Sequence, residues 1–178
     1  PEGHDPVLDA ALAWIAGLNA SIRWNLMLEF PEAFHDRLPR QIWLTPRAQN
    51  QFGVERMVLQ VQEHNRLGLV MHGLDDGALI TPETQPQLLK LQEQRLLAVL
   101  PELLRPWPSL QRMVPLVRSL GVMRWGAAQP LDQGMPTRLQ WCPQANVGFC
   151  GDWIAGHGFG MAEGALQSAL DLAESIDS

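Results

Sequence analysis

The chain has 178 residues, 46% of them hydrophobic and 18% charged, with a net charge of −6. This is the length of one domain, with enough apolar residues for a core without disulfides or a structural metal, and it excludes a disordered chain. An acidic pI near 5.3 argues against nucleic acid or an anionic membrane as partner, and no apolar run approaches the ~20 residues that span a bilayer.

The two cysteines, Cys142 and Cys150, are too few for a disulfide framework. No signal-peptide pattern opens the sequence, so a reducing, cytoplasmic compartment is expected. Seven tryptophans stand against no tyrosine, and one lysine, Lys90, against twelve arginines. The histidines, His4, His35, His64, His72 and His157, are scattered. Neither they nor the cysteines show metal-ligand spacing, so no metal site is expected.

The first expected element is a helix. Asp5 can cap it, Pro6 suits its first position, and Leu8, Leu12, Ile15 and Leu18 recur at helical spacing. A strand over 21–30 follows. Ile22, Trp24, Leu26 and Leu28 fall on one face, Arg23, Asn25, Met27 and Glu29 on the other. A short apolar piece over 41–45 is closed by Pro46. Gly53 opens a strand over 54–62, with Val54, Arg56, Val58, Gln60 and Gln62 on one face and Met57, Leu59 and Val61 on the other. His64-Asn65-Arg66 reads as a turn into a return strand over 67–72, making a hairpin. Asp75-Asp76-Gly77 is a second turn signal.

Thr81-Pro82-Glu83 starts a leucine-rich helix ending near Leu104, with Pro86 in its first turn or splitting off a short leading one. Pro106 and Pro108 terminate it. Residues 121–125 read as a strand, 126–145 as a loop and 146–150 as a short buried strand. After Gly151-Asp152, the loop Gly156-His157-Gly158-Phe159-Gly160 leads into a last helix over 161–176, whose apolar face carries Ala165, Leu166, Ala169, Leu172, Ala173 and Ile176. Helices and hairpin-linked strands in this order predict an α+β fold with a mostly antiparallel sheet and flanking helices.

A glycine loop between strand and helix invites a phosphate-binding reading, because glycines let backbone amides approach a ligand and a helix N-terminus carries partial positive charge. The dinucleotide fingerprint fails here: Met161 stands where its third glycine or alanine belongs, and there is no Gly-Lys-Ser/Thr of a P-loop.

A different motif fits. Val147-Gly148-Phe149-Cys150-Gly151-Asp152-Trp153, then Gly156-His157-Gly158, Glu163-Gly164-Ala165 and Ser168-Ala169, resembles the C-terminal FAD motif of flavin-containing amine oxidases, with the renalase-like branch closest. Upstream, Trp24-Asn25-Leu26-Met27-Leu28 resembles the first strand of that family's substrate domain. Leu69-Val70-Met71-His72 before a Pro-Glu-led helix has the family's order, and Arg124-Trp125 with Ala128 and Pro130 resembles its Arg-Trp-x-Tyr-Ala-x-Pro segment. The resemblance runs over about residues 7 to 177.

It implies a substrate-binding-like α+β region over 1–145 and, over 146–178, a strand, glycine loop and helix that complete an FAD-binding domain. The N-terminal Rossmann half, with its Gly-x-Gly-x-x-Gly, is absent from the sequence. The chain then reads as a fragment of an FAD-dependent oxidoreductase that moves hydride from an amine or a reduced nicotinamide-like substrate to flavin. Its partner would be the missing half, in cis or in trans, and a homodimer is possible through the uncovered flavin-side surface. Alone it should be inactive and hold FAD poorly. The alternative is a non-enzymatic interaction domain, or a split-flavoprotein half completed by a partner chain. Ala127 replaces the family's tyrosine, and with no tyrosine anywhere a tyrosine cage cannot be built from this chain.

The resemblance assigns FAD contacts to Gly151, Asp152, Gly158 and Gly160 and to the amides of Met161 and Ala162. A helix start there would stabilise the charge of reduced flavin. The plainer readings are an Asp that caps its loop and glycines that serve a tight turn. His157 is the candidate catalytic base, or else a surface histidine. Trp24, Trp125, Trp153 and His72 are candidate substrate contacts, with core or sheet packing as the alternative. Arg23 and Arg56 form a basic strand face, either an anion site or a solvated surface. Cys142 and Cys150 are a redox pair, a flavin tether or ordinary buried free cysteines.

Overall fold

The computed structural model describes residues 5–31, 38–77 and 80–177; His4 and His35 lie outside them. In chain order the elements are α1 (Pro6–Ala16), β1 (Ala20–Phe30), β2 (Gln41–Trp43), α2 (Pro46–Phe52), β3 (Val54–Val61), β4 (Leu67–Leu74), α3 (Gln85–Leu103), α4 (Pro108–Arg112), β5 (Arg118–Pro130), β6 (Trp141–Cys142), β7 (Val147–Gly148) and α5 (Ala162–Asp177). The fold is α+β, with a five-stranded sheet in the order β2-β3-β4-β1-β5 whose strands pair antiparallel. Among the described residues no helix is long and apolar enough to cross a membrane.

The chain divides into two compact units, Ile22–Trp125 and the pair of segments Pro1–Ser21 with Gly126–Ser178. The first helix belongs with the end of the chain because Ala11 of α1 shares a small core with Met135, Leu139 and Ile154.

In the unit of residues 22–125, strand alternation builds the core. Trp24, Leu26, Leu28 and Phe30 of β1, Met57 and Leu59 of β3, and Leu67, Leu69 and Met71 of β4 are buried with Leu96, Leu100 and Leu103 of α3. Gly73 lets that helix approach the sheet: a Cβ there would come within 3.0 Å of the Leu96 side chain. Pro86 sits in the first turn of α3.

The alternation expected for β3 fails at its start. Val54 pairs with Gly73 and Arg56 with His72, so Glu55 is an extra residue. This bulge moves Val54 onto the buried face with Met57 and turns Glu55 and Arg56 away from it. The helix α2 is also unforeseen. Thr45 Oγ1 accepts from Ala48 N, Pro46 fits the first turn and Gly53 closes the helix at φ 63°.

In the other unit, Asp5 caps α1 by accepting from Val7 N and Leu8 N, and its second oxygen accepts from Ala145 N at 3.0 Å. Burial opposes ionisation of this carboxyl, but the N–H groups of Leu8, Ala145, Val7 and Gln144 outweigh it and hold it below the usual carboxylate range. Residues 126–130 continue β5 instead of forming a loop. The expected strand over 146–150 is a two-residue ladder, Val147 and Gly148 against Cys142 and Trp141, with Gly148 exposed. Among the described residues no further strand pairs on its far edge. Helix α5 buries Gly164 and Ser168, while Leu166, Leu170 and Ile176 stay exposed at 65%, 53% and 51%. Its packed face is made of small residues and of Leu172, which lies against Gly148.

Candidate functional site

The loop between β7 and α5 is built entirely within one unit. Two polar side chains fix it. Ser168 Oγ accepts from Gly151 N at 2.9 Å and lies 3.1 Å from Gly151 O and 2.8 Å from Ala165 O, either of which its proton can reach. Buried Gln140 donates through Nε2 to Ser168 O at 3.0 Å and to Phe149 O at 3.3 Å. On the other side, Met135 N donates to Trp153 O and Ala155 N to Met135 O, a short parallel bridge that pins residues 153–155.

The glycines now separate into two kinds. Gly158 has φ 79°, and a Cβ on it would lie 2.6 Å from Gly164 N; a Cβ on Gly164 would in turn meet Gly158 O. The loop and the first turn of α5 touch backbone to backbone, which only this glycine pair permits. A Cβ on Gly151 would meet the Trp153 indole. Gly156 and Gly160 differ: at φ 149° and 75° both have open space where a side chain would be, Gly160 meeting nothing nearer than Pro130 at 3.9 Å.

A hollow of about 370 Å³ lies beside this loop, within the size range of small-molecule sites. Asp152 and Trp153 line it together with Ile15, Leu18 and residues 127–130. Asp152 holds the loop through its carbonyl, which accepts from Gly160 N at 2.7 Å. Its half-buried carboxylate has no hydrogen-bond or ion-pair partner among the described residues. Trp153 is half-buried, edge-on to Phe149 with ring centroids 6.2 Å apart. A second hollow of about 450 Å³ shares Leu18 and Asn19 with the first.

At the helix start, Met161 N donates to Gly158 O, so this amide serves the turn, and Ala165 N closes the first helical bond on Met161 O. The amides of Ala162, Glu163 and Gly164 are then the first-turn donors that an α-helix leaves without intrahelical acceptors. His157 is on the outside: its side chain is 85% exposed, with Nδ1 3.7 Å from Glu163 Oε1. At that distance the carboxylate does not hydrogen-bond the ring, and among the described residues nothing else orients it as a base.

The remaining expected contacts belong to the other unit. Trp24 is fully buried on the helix-covered face of the sheet, with the Arg124 guanidinium 5.6 Å from its ring. It is a core residue, because even-numbered positions of β1 point to that face. Trp125 is 49% exposed on the edge strand β5. His72 is half-buried on the opposite face of the sheet. Cys142 is buried and Cys150 exposed, and burial, with the Asp5 carboxylate adding to it, pushes the Cys142 thiol up. Among the described residues, no three His, Cys, Asp or Glu side chains are grouped to hold a metal.

Trp43, expected in the core or at an interface, is 57% exposed, which leaves it out of the core, and the Arg56 guanidinium lies 4.8 Å from its ring centre. The available signal was the cross-strand pairing of Trp43 with Arg56. It became readable only once the bulge at Glu55 had set the register.

No protein-family model matches the chain, and no curated protein matches it significantly.

Proposed function

We propose that this chain is the substrate-side and last flavin-contacting portion of an FAD-dependent oxidoreductase similar to the renalase-like amine oxidases. The observation that carries the reading is the Asp152 carboxylate, which borders a hollow without a partner while the loop around it is otherwise hydrogen-bonded. The donor set fits the group. A carboxylate accepts hydrogen bonds from a ribityl chain, Gly156 and Gly160 leave open space where a flat ring would approach, and the first-turn amides of α5 would be the donors to developing negative charge. When bound, FAD supplies the hydride acceptor. Asp152 would orient it, Trp153 and the apolar wall would exclude water, and the amides of Ala162 and Glu163 would hold charge at the pyrimidine edge. The substrate class is an amine or a reduced nicotinamide-like molecule, and the missing FAD-binding half would come in cis or in trans.

The test is a titration of the 178-residue chain with FAD, read by flavin fluorescence and by backbone amide shifts. Weak binding is expected, with shifts confined to residues 151–164 and affinity lowered at least several-fold by Asp152→Ala. Shifts elsewhere, or a loop indifferent to FAD both in this chain and in any longer product of its gene, would overturn the reading.

A second reading is a non-enzymatic interaction domain. The exposed Leu166, Leu170 and Ile176 of α5 favour it, since they form an apolar stripe. An α5 stripe protected from exchange by a partner while the loop ignores FAD would select it.

A further inference from the structure

The two units of the chain differ in charge. In sequence, the unit of the chain ends holds nine carboxylates against one basic side chain, Arg138, whereas residues 22–125 hold ten against twelve. The net charge of −6 therefore hides a strongly acidic unit beside a mildly basic one. A surface so one-sided draws cationic partners toward it and repels anionic ones.

The hollow of about 450 Å³ lies wholly within the acidic unit. Its wall comes from the end of α1 and the turn after it, with Trp14, Leu18 and Asn19, and from the turn after β5, with Leu131, Asp132 and Gln133. Two bonds stitch these turns together. Leu131 N donates to Asn19 O at 2.8 Å, and Asn19 Nδ2 donates to Asp132 Oδ2 at 3.3 Å. That long bond is the one the Asp132 side chain makes among the described residues. Asp132 is exposed, and a carboxylate has about four acceptor sites, so most of its capacity faces solvent. It is the single charged residue of the wall; Arg138 is not part of it. Asn19 spends its amide donor on Asp132 and keeps its oxygen.

We propose that this hollow takes an arginine side chain from a basic segment of a partner protein, with the guanidinium on Asp132. The Asn19 and Gln133 side-chain oxygens are the further acceptors that a many-donor guanidinium can use. Leu18 and Leu131, the latter 44% exposed, offer apolar surface to the stem, and the Trp14 indole suits a flat cation better than a compact ammonium. The charge of the unit selects a protein segment over a small free cation. Eight of the nine carboxylates lie outside the hollow, where only further cationic residues on the same partner can profit from them. The proposal rests neither on the flavin reading, which uses Asp152 and the neighbouring hollow, nor on the apolar stripe of α5.

The test is calorimetric titration of the 178-residue chain with a nine-residue peptide, a central arginine flanked by alanines and four lysines, with amide shifts read alongside. A Kd of about 0.1 mM is expected, with shifts centred on residues 13–19 and 131–133. Citrulline in place of the arginine keeps the shape without the charge and should weaken binding about tenfold, as should Asp132→Asn in the chain. Asp132 has φ 62°, a conformation that asparagine also adopts, so this variant keeps the turn. Glu174→Gln removes the same charge from an exposed position of α5 in the same unit and should cost about twofold or less. Equal binding of the citrulline peptide, equal losses in Asp132→Asn and Glu174→Gln, or shifts centred elsewhere would overturn the site. Acetylargininamide binding as tightly as the peptide would make the hollow a small-cation site and overturn the partner assignment.

Discussion

The two units of this chain are held together by different means. The unit of residues 22–125 has a continuous apolar core of strand and helix side chains, including Trp24, Phe30, Leu69, Met71, Leu96 and Leu100 at full burial. In the unit formed by the two chain ends, the buried apolar cluster among the described residues is Ala11, Met135, Leu139 and Ile154. It relies instead on directed polar contacts: Asp5 to Ala145, Gln140 to Phe149 and Ser168, and Ser168 to Gly151. A unit with a large non-directional core tolerates unpartnered polar groups on its surface face. One with a small core must satisfy nearly every buried polar atom, since each orphan costs a large share of its stability. The candidate flavin loop belongs to the second kind, and the row of Arg56, His72 and Asn25 in the sheet to the first.

The sharpest way to break this contrast is to damage each unit in its own currency. Leu96→Ala removes a side chain fully buried between α3 and the sheet. About 2–5 kcal/mol should be lost from the unfolding of that unit, measured by denaturant titration. Amide exchange in α1 and α5 should stay slow. Equal acceleration in both units would mean that they unfold as one and that the contrast has no energetic content.

The counterpart in the other unit is Ser168→Ala, which removes little volume and leaves Gly151 N and O without their hydroxyl partner. The expected cost is about 1–3 kcal/mol, comparable to a core truncation although only one oxygen is lost. The Gly151 amide should exchange faster, and the loop over 151–160 should loosen before the rest of the unit does. An unchanged Gly151 amide would show that the Gly158–Gly164 backbone contact, not the serine, fixes the loop.

The same difference decided what the sequence could tell. The core of the sheet was legible because alternation over β1 and β4 needs only a period of two, and Asp5-Pro6 and the leucine spacing marked α1 and α3. Thr45-Pro46 with Gly53 was an equally good helix frame, but the seven residues of α2 carry almost no apolar period, so only the caps announced it. The bulge at Glu55 was illegible: one extra residue in β3 leaves the local pattern plausible in either phase, and only pairing with Gly73 and His72 fixes it. At the candidate site, the glycine positions were visible but their two roles were not. Whether a glycine is required by backbone packing, as at Gly158, or leaves open space, as at Gly156, depends on what the rest of the unit brings within reach.

The smallest expected effect tests the polar side of the large-core unit. His72 is half-buried between Asn25 and Arg56, and its pKa is lowered from 6.5 to about 4. Burial is the first cause. Arg56 and then Arg23 add to it, while Glu55 opposes them. In the unfolded chain the imidazole titrates near its ordinary value. Between those two values the unfolded chain binds a proton that the folded sheet refuses, so stability falls as pH drops through 6.5 and levels off below about 4. Water reaching the partly exposed ring screens the charge, which keeps the effect below that of the Leu96 truncation. The check is a comparison of wild type with His72→Gln by denaturant midpoint from about pH 7 to about pH 5, above the range where most carboxylates titrate. The wild-type midpoint should decline relative to the variant. Parallel profiles would mean that the row around Arg56 admits a charged imidazole without cost, and that the face is wetter than the half-buried ring implies.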